Sequence, residues 1–309
     1  MHLTSAEISA IVKGELKGPR DLPVSNLIID SRKATLVGAD TLFVALRGSR
    51  NDGRNYIISL YKMGVRVFLT EPEREGSSIY EQCQDAAFIE VADCLEALQM
   101  LAKAKREAFK GTVIAITGSN GKTIVKEWFA DILGSQDDVL RSPRSYNSQT
   151  GVPLSVWNLN NTYSYGVFEA GMSMPGEIAR LEKIIQAHIG VLTNIGEAHQ
   201  ENFKDLDSKI REKLLLFSSC HTLIYSVDQP EVTGLVDQLY AGSGKKLIRW
   251  SFTDKGVEYY YAVKKNVDNS IVLVLNKGDC VSEYVLPFSD KASIKNAATV
   301  ITMLFSIGV

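Results

Sequence analysis

The residues with the clearest chemical potential lie at positions 117–123, which read TGSNGKT. They follow an apolar stretch, TVIAIT, and precede a helical pattern with apolar residues on one face. Glycines let the backbone turn so that successive N–H groups point at phosphate oxygens, and a helix N-terminus adds partial positive charge. In such loops the lysine reaches the β- and γ-phosphates and the following hydroxyl ligates Mg²⁺. The pattern predicts a nucleotide-binding loop formed by Gly118, Ser119, Asn120, Gly121, Lys122 and Thr123.

This loop is a variant, because the general pattern GxxxxGK[ST] requires glycine where the chain has Ile116. A glycine-rich turn with an incidental lysine is the alternative. A second glycine–lysine segment, residues 242–246 (GSGKK), precedes a strand pattern and opens no helix. We interpret this second segment as a surface turn, since phosphate binding requires the helix N-terminus.

Two polar residues, Glu169 and His199, follow other apolar stretches of the chain, YGVFE and HIGVLTNI. The carboxyl ends of parallel strands meet at one edge of a sheet, where ligands bind in open α/β folds. We therefore expect both side chains near the loop. From the residues alone, each is either a metal ligand or a structural side chain.

Short apolar strands alternate with amphipathic helix patterns from residue 111 to residue 227. This alternation indicates βαβ units on a mostly parallel sheet. Residues 246–287 favour antiparallel strands added at the sheet edge, and a last helix pattern begins at residue 292. The predicted fold class is α/β, with a small N-terminal α/β domain (residues 1–108) and a central phosphate-loop domain (residues 109–309).

The composition excludes several classes of protein. The chain has 309 residues and a net charge of −2, which provides no polybasic surface for nucleic acid or for a membrane. No apolar run approaches the roughly 18 residues that span a bilayer, and the N-terminus does not resemble a signal peptide. The four cysteines form no CxxC pair, so we expect free thiols and a cytoplasmic protein.

Several segments together resemble the Mur ligases, the ATP-dependent amide-forming enzymes of peptidoglycan precursor synthesis. The loop ITGSNGKT resembles their ATP loop, and three further blocks are similar to family motifs. These blocks are NSQTGVP (147–153), EAGM with PGEI (169–178) and TNIGEAHQENF (193–203). Other Mur ligases usually have Asp before the histidine, and Ala198 favours the branch that adds D-alanyl-D-alanine.

The resemblance implies an ATP-dependent ligase reaction. ATP would phosphorylate the terminal carboxylate of UDP-N-acetylmuramoyl-tripeptide, and the amine of D-alanyl-D-alanine would attack the acyl phosphate. A sibling ligase, such as the diamino-acid-adding enzyme or a folylpolyglutamate synthetase, is the nearest alternative. A phosphate-loop kinase and a nucleotide-binding module without turnover are the others.

The resemblance also implies the roles of individual residues. Lys122 would act in catalysis, and Thr123, Glu169 and His199 would hold Mg²⁺, with two ions expected. Lys213, a solvent-facing helix lysine by its pattern alone, matches the lysine that the family carbamylates. Its carbamate would be a further metal ligand, although the usual acid two residues later is replaced by Leu215.

Substrate contacts follow in the same way. Ser31 and Arg32, in a DSR element, would bind the UDP precursor, Asn147 would lie near phosphate or substrate, and Asn296 would lie beside adenine. Mur ligases carry a third, C-terminal Rossmann-like domain, and the resemblance implies that this chain stops before it. We therefore expect residues 1–309 to bind ATP–Mg²⁺ but to ligate weakly or not at all. Residues 144–157 and 287–298 also resemble ligases fused to an alanine racemase domain.

Overall fold

A computed structural model describes residues 3–36, 38–48, 51–72, 79–136, 138–196, 202–266 and 270–309. The chain forms two compact units. The first comprises Met1–Phe109 with Val156–Asn160, and the second comprises Lys110–Ser155 with Asn161–Val309. A short segment of the second half of the chain thus packs with the N-terminal unit.

The N-terminal unit contains a five-stranded sheet with helices between its strands. Its strands are β1 (Leu3–Thr4), β2 (Glu15–Lys17), β3 (Pro23–Val24), β4 (Asn26–Ile28), β5 (Thr41–Val44), β6 (Val67–Thr70) and β7 (Ala87–Glu90). Its helices are α1 (Ser5–Val12), α2 (Ile57–Lys62), α3 (Ile79–Gln82) and α4 (Cys94–Ala108). The sheet order is β2-β7-β6-β5-β4; β4 to β7 are parallel, β2 is antiparallel, and β1 pairs separately with β3.

Helix α4 shows how the sequence sets an element of this unit. The side chain of Asp93 accepts hydrogen bonds from the N–H groups of Leu95 and Glu96, which have no intrahelical partner. Leu98 and Leu101 recur at helical spacing, and both are fully buried. Capping and an apolar stripe therefore fix where this helix begins and which face it buries.

The C-terminal unit is built on a nine-stranded sheet. Its strands are β8 (Thr112–Thr117), β9 (Val139–Arg141), β10 (Tyr165–Glu169), β11 (Ile189–Leu192), β12 (Thr222–Ser226), β13 (Lys246–Ser251), β14 (Tyr259–Lys265), β15 (Ile271–Lys277) and β16 (Cys280–Leu286). Its helices are α5 (Lys122–Leu133), α6 (Gly151–Val156), α7 (Glu177–Ile185), α8 (Leu206–Leu214), α9 (Pro230–Tyr240) and α10 (Lys291–Ser306). The order is β16-β15-β14-β13-β12-β11-β8-β10-β9. The predicted α/β class, with a mostly parallel sheet and added antiparallel strands, is confirmed.

Strand β8 lies at the point where the chain changes direction across the sheet. After β8 the chain forms β9 and β10 on one side and then crosses to β11 on the other side. Residues 113–116 are almost wholly buried, as expected for a strand covered on both faces. The carboxyl end of β8 is therefore the switch point at which open α/β sheets bind ligands.

The prediction for strand β13 was wrong in direction. We expected residues 246–252 to begin the antiparallel addition, but β13 is parallel to both β12 and β14. Helix α9 returns the chain before β13, and such a crossover produces a parallel pair. Among the described residues of the nine-stranded sheet, the antiparallel pairs are β14 with β15 and β15 with β16.

A single apolar cluster joins the loop helix to the last helix of the C-terminal unit. Val125, Phe129 and Leu133 of α5 pack in the same buried cluster as Ile294 and Val300 of α10. This packing places the start of α5 and the first turns of α10 side by side.

The four cysteines are free, as predicted. In the described ranges, no helix has the length and apolar character of a membrane span.

Candidate active site

The predicted phosphate loop connects β8 to the N-terminus of α5. Gly118 has a φ of 150° and Gly121 has a φ of 81°, backbone conformations that favour glycine. A Cβ atom on Gly118 would overlap the hydroxyl of Thr193 and lie 2.9 Å from the carbonyl oxygen of Asn194. A Cβ atom on Gly121 would overlap the Asn296 amide. Both glycines therefore allow a close approach as well as a turn.

The segment after β11 supports the loop from behind. Ser119 N donates to Asn194 O at 2.8 Å, and Asn120 N donates to Asn194 Oδ1 at 2.9 Å. The N–H of Gly196 donates to Ser119 Oγ at 2.9 Å. The backbone N–H groups of Ser119 and Asn120 are thus committed to the protein.

The N–H groups that remain for an anion are those at the helix start. Those of Gly121, Lys122 and Thr123 have no intrahelical acceptor, because α5 begins at Lys122. They share this position with the positive end of the helix dipole. The second half of the loop therefore offers the N–H groups best suited to the predicted phosphate site.

The Lys122 side chain folds over its own loop. Its Nζ donates to Gly118 O at 2.9 Å and to Ser119 O at 3.3 Å. Burial lowers the pKa of Lys122, an effect that the nearby Glu169 carboxylate partly opposes. The ammonium lies in a cavity of about 150 Å³, so it can exchange carbonyl oxygens for those of a phosphate.

Glu169, at the end of β10, is fully buried, and both of its oxygens are hydrogen-bonded. Thr123 Oγ1 donates to Oε2 at 2.7 Å, and Asn147 Nδ2 donates to Oε1 at 3.1 Å. Hydroxyl and carboxylate oxygens are the ligands that Mg²⁺ prefers. Among the described residues there is no group of three or more His, Cys, Asp and Glu side chains that could hold a metal. The donor set fits an ion that takes one or two protein ligands and completes its shell with phosphate oxygens and water.

Lys213 of α8 is 4% exposed and lines the same cavity as Lys122. Its Nζ donates to Gly118 O at 3.2 Å. Burial, with smaller contributions from the charges of Lys122 and Lys209, lowers the pKa of Lys213 to about 7. A substantial fraction of this side chain is therefore a neutral amine near neutral pH, which an exposed lysine is not.

Three further polar side chains of the cavity were not predicted from the sequence. Ser148, Ser173 and Glu177 line it together with the predicted Asn147. Glu177 Oε2 accepts hydrogen bonds from Ser173 N at 2.6 Å and from Met174 N at 3.0 Å. Only its place in the PGEI block distinguishes Glu177 in the sequence, and nothing there indicates that its side chain shapes a cavity.

Two buried cations near the loop were also missed. Lys209 of α8 is fully buried and donates to Gly196 O. Lys126 of α5 is fully buried and donates to Ser142 O and Arg144 O. In a helical pattern both read as ordinary polar positions, so no local signal could have found them.

The remaining predicted residues are Asn296, Ser31, Arg32 and His199, and they belong to different parts of the chain. Asn296 of α10 is 9% exposed and its amide faces Gly121 of the loop. Ser31 and Arg32 belong to the N-terminal unit, where they begin a 3₁₀ helix. His199 and its neighbour Ala198 lie outside the described residues.

Arg32 is exposed and forms a forked contact with Asp30. Its Nε donates to Asp30 Oδ1 at 2.9 Å, and its NH2 group donates to Oδ2 at 2.6 Å. These bonds lower the pKa of Asp30 to about 2. The guanidinium is thus held in an orientation suited to a bidentate anion, with a carboxylate as its present partner.

Comparison with protein families gives two matches. The Mur ligase middle domain matches residues 116–304, and the Mur ligase family, catalytic domain, matches residues 23–106. The first match covers more than half of the chain and contains every described candidate residue of the C-terminal unit.

Two curated relatives carry the same name, UDP-N-acetylmuramoyl-tripeptide–D-alanyl-D-alanine ligase. The protein from Bacillus subtilis is 32% identical over 232 residues, which are 74% of this chain and 49% of the relative. The protein from Haemophilus influenzae is 25% identical over 323 residues, which are 100% of this chain and 65% of the relative. The chain thus spans about half to two thirds of the length of these relatives.

Solved structures show the same fold. A crystal structure of MurF from Acinetobacter baumannii has a TM-score of 0.85 at 24% identity and covers 100% of this chain and 66% of its own. MurF ligase from Thermotoga maritima in complex with ADP has a TM-score of 0.79 at 24% identity, covering 92% of this chain and 64% of its own.

Proposed function

The chain belongs to the Mur ligase family, and we propose that it adds D-alanyl-D-alanine to UDP-N-acetylmuramoyl-tripeptide at the expense of ATP, in peptidoglycan precursor synthesis. The observation that carries this proposal is the shared cavity of Lys122 and Lys213, with Asn147 linking it to Glu169. Negative charge accumulates when a phosphoryl group is transferred to a carboxylate, and such a cavity is suited to neutralise it. The names of the relatives support the choice of substrates.

ATP would bind with its phosphates at the start of α5. The free N–H groups of Gly121, Lys122 and Thr123 and the Lys122 ammonium would contact the phosphate oxygens. The side chains of Ser119 and Asn120 would complete the loop. Asn296, whose amide lies close to Gly121, would contact the adenine side.

Thr123 and Glu169 would hold Mg²⁺, together with His199 as the family resemblance implies. Bound Mg²⁺ neutralises charge on the transferring phosphoryl group. The Thr123 hydroxyl, which now donates to Glu169, would turn its oxygen lone pair to the ion. The Asn147 amide would keep its bond to the other carboxylate oxygen and so orient it.

Lys213 would carry the carbamate. Its neutral amine attacks CO₂, a nitrogen–carbon bond forms, and one proton is released to water. The product carries one negative charge shared by two oxygens and would ligate a second Mg²⁺, whereas an ammonium cannot. The depressed pKa of Lys213 supports this role, because only the neutral amine reacts.

The proposed reaction has two steps. The carboxylate of the tripeptide attacks the γ-phosphorus of ATP, giving an acyl phosphate and ADP. The amine of D-alanyl-D-alanine then adds to the acyl carbon, and phosphate leaves as the amide forms. In the N-terminal unit, Ser31 and Arg32 would bind the diphosphate of the precursor, with Arg32 exchanging Asp30 for the anion.

A coupled assay on the native polypeptide tests the proposal, since residues 1–309 alone are expected to ligate weakly or not at all. ADP release should require both the precursor and D-alanyl-D-alanine, and mass spectrometry should find the amide product. ADP release with phosphate on a stable acceptor would instead identify a kinase, and ADP release that depends on another amino acid would identify a sibling ligase. Nucleotide binding without any turnover would instead indicate a nucleotide-binding module.

The segments that resemble ligases fused to an alanine racemase support a further partner, a racemase domain that follows a third ligase domain on the same polypeptide. The mass of the native polypeptide checks this prediction. A species of 34.1 kDa, the mass of these 309 residues, would contradict it.

A further inference from the structure

We propose that Lys126 is a positioning residue, which ties the phosphate-loop helix to the segment bearing Asn147 and thereby orients the Glu169 carboxylate for its cation. The inference rests on the proposed nucleotide–Mg²⁺ site. No part of the family resemblance assigns a role to Lys126, and its side chain does not line the cavity. The argument comes from what its ammonium contacts.

The Lys126 ammonium is fully buried and has three partners. It donates to Ser142 O at 2.6 Å and to Arg144 O, and it lies 3.1 Å from Glu127 Oε1. A buried ammonium is costly unless each of its donors finds an acceptor. These contacts satisfy the charge and fix the segment that follows β9.

The backbone of this segment is constrained at both residues whose carbonyls Lys126 contacts. Ser142 N donates to Val167 O at 3.0 Å, which continues the pairing of β9 with β10. Arg144 has a φ of 49°, a left-handed conformation that side chains rarely adopt. Because the carbonyl of this strained residue is one of the two that Lys126 holds, the lysine stabilises a turn that the local sequence disfavours.

The turn leads directly to Asn147. The carbonyl oxygen of Asn147 accepts a hydrogen bond from Gly171 N at 2.8 Å, and the Asn147 side chain donates to Glu169 Oε1 at 3.1 Å. A continuous set of contacts therefore runs from Lys126 through the turn to one carboxylate oxygen. Thr123, three residues before Lys126 on α5, holds the other oxygen at 2.7 Å.

One helix thus controls both oxygens of Glu169, directly through Thr123 and indirectly through Lys126. The two routes differ in what they should affect. Lys126 touches neither the glycines nor the N–H groups of the phosphate loop. Its loss should therefore weaken the cation site while leaving metal-free nucleotide binding in place.

The test is a titration of the 309-residue chain with ADP, measured by calorimetry in EDTA and again in Mg²⁺. Lys126→Met should leave the affinity in EDTA within about twofold. Its gain in affinity on adding Mg²⁺ should fall about 10-fold, the lower end of what loss of an outer-shell partner costs a metal site. An unchanged Mg²⁺ gain in Lys126→Met would overturn the inference while leaving the proposed function in place.

Lys245→Met is the matched control. This lysine also donates to two backbone carbonyls, those of Phe217 and Cys220, but it lies in the 242–246 turn. It should lose stability as Lys126→Met does and keep the full Mg²⁺ gain. Loss of the gain in both variants would mean that any lysine bonded to two backbone carbonyls matters, and would overturn a specific role for Lys126.

Asn147→Ala tests the same route from its far end, even if Lys126→Met fails to fold. It should reproduce the loss of the Mg²⁺ gain, and a normal gain would overturn the inference. In the double variant the two losses should not add, because they remove one route. Failure of the unmodified chain to bind ADP would overturn the proposed function and this inference together.

Discussion

The loop at residues 117–123 and the turn at residues 242–246 both combine glycines with a lysine. Both contain glycines with positive φ, 150° and 81° in the loop and 76° and 75° in the turn. In both, a lysine ammonium donates to two backbone carbonyls. Their local chemistry is therefore similar, and only the loop is a candidate nucleotide site.

The difference lies in what surrounds them. Side chains at Gly118 and Gly121 would strike Thr193 and Asn296, whereas side chains at Gly242 and Gly244 would meet open space. The loop opens α5, and the turn leads into β13, as predicted for a surface turn. Conformational freedom explains the glycines of the turn, but those of the loop also make room for the residues that hold it. An anion site therefore depends on the helix and the supporting segment more than on composition.

The largest expected effect comes from adding a methyl group to each segment. Gly118→Ala should lower the free energy of unfolding by about 2–4 kcal/mol, because overlap and backbone strain add. Its ATP affinity should fall at least about 100-fold, since the loop must move. Gly242→Ala should cost about 1 kcal/mol and leave ATP affinity unchanged. Urea unfolding and calorimetric titration measure both, and equal effects would remove the distinction between the segments.

Removing each lysine should give the next largest contrast. Lys122→Ala should weaken ATP binding by about 10- to 100-fold, the value of a charged hydrogen bond to phosphate. Lys245→Ala should leave binding unchanged and lower the free energy of unfolding by about 1–3 kcal/mol, because two partly buried carbonyls lose their donor. Unchanged ATP affinity in Lys122→Ala would refute the loop as the nucleotide site.

Lys213 extends the comparison to a third lysine and adds a pH dependence. Since its pKa in the folded chain is lowered to about 7, the reactive neutral form increases as pH rises from 6 to 8. At constant dissolved ¹³CO₂, the carbamate signal in ¹³C NMR should grow over this range and be absent in Lys213→Gln. Carbamate that persists in Lys213→Gln would place the modification on another lysine.

The same shift in pKa sets the pH dependence of stability. The unfolded chain keeps the Lys213 proton up to its ordinary pKa of 10.5, while the folded chain releases it near pH 7. The unfolded state therefore binds more protons between these values, and the contribution of Lys213 to stability rises with pH there. The free energy of unfolding of the wild type minus that of Lys213→Met should therefore rise with pH when both are measured from pH 6 to pH 9.

The smallest expected effect is at Asn296, which touches the loop without belonging to it. Asn296→Ala should reduce ATP affinity about 5-fold, which corresponds to one neutral hydrogen bond. Binding of tripolyphosphate, which has no adenine, should stay within about twofold. An equal loss for both ligands would mean that Asn296 acts through the shape of the loop.

The parts of the site that could be predicted are local in the chain. A strand, a glycine-rich loop and a helix that follow one another can be identified without any distant contact. The sequence pattern alone therefore predicted the loop at residues 117–123 and the helix after it. The alternation of strands and helices likewise predicted the α/β class. Only the resemblance to a family indicated a role for Lys213, because its burial depends on how α8 packs.

The parts that could not be predicted depend on long-range packing. Lys126 occupies a polar position of an amphipathic helix, and only the path of residues 142–147 converts it into a buried contact. The direction of β13 depends on the α9 crossover, whereas strand periodicity is the same for parallel and antiparallel neighbours. Asn194 gains its importance only because β11 lies beside β8.

The two hydrogen bonds from the loop to Asn194 have a consequence for the free-energy cost of the proposed nucleotide binding. They hold residues 119 and 120 in shape by contacts within the protein, so the loop does not require a nucleotide to become ordered. A nucleotide bound at the proposed site would therefore meet a loop whose conformational entropy has already been lost during folding. Binding free energy that would otherwise order the loop would remain available at the phosphates, where the proposed chemistry would take place.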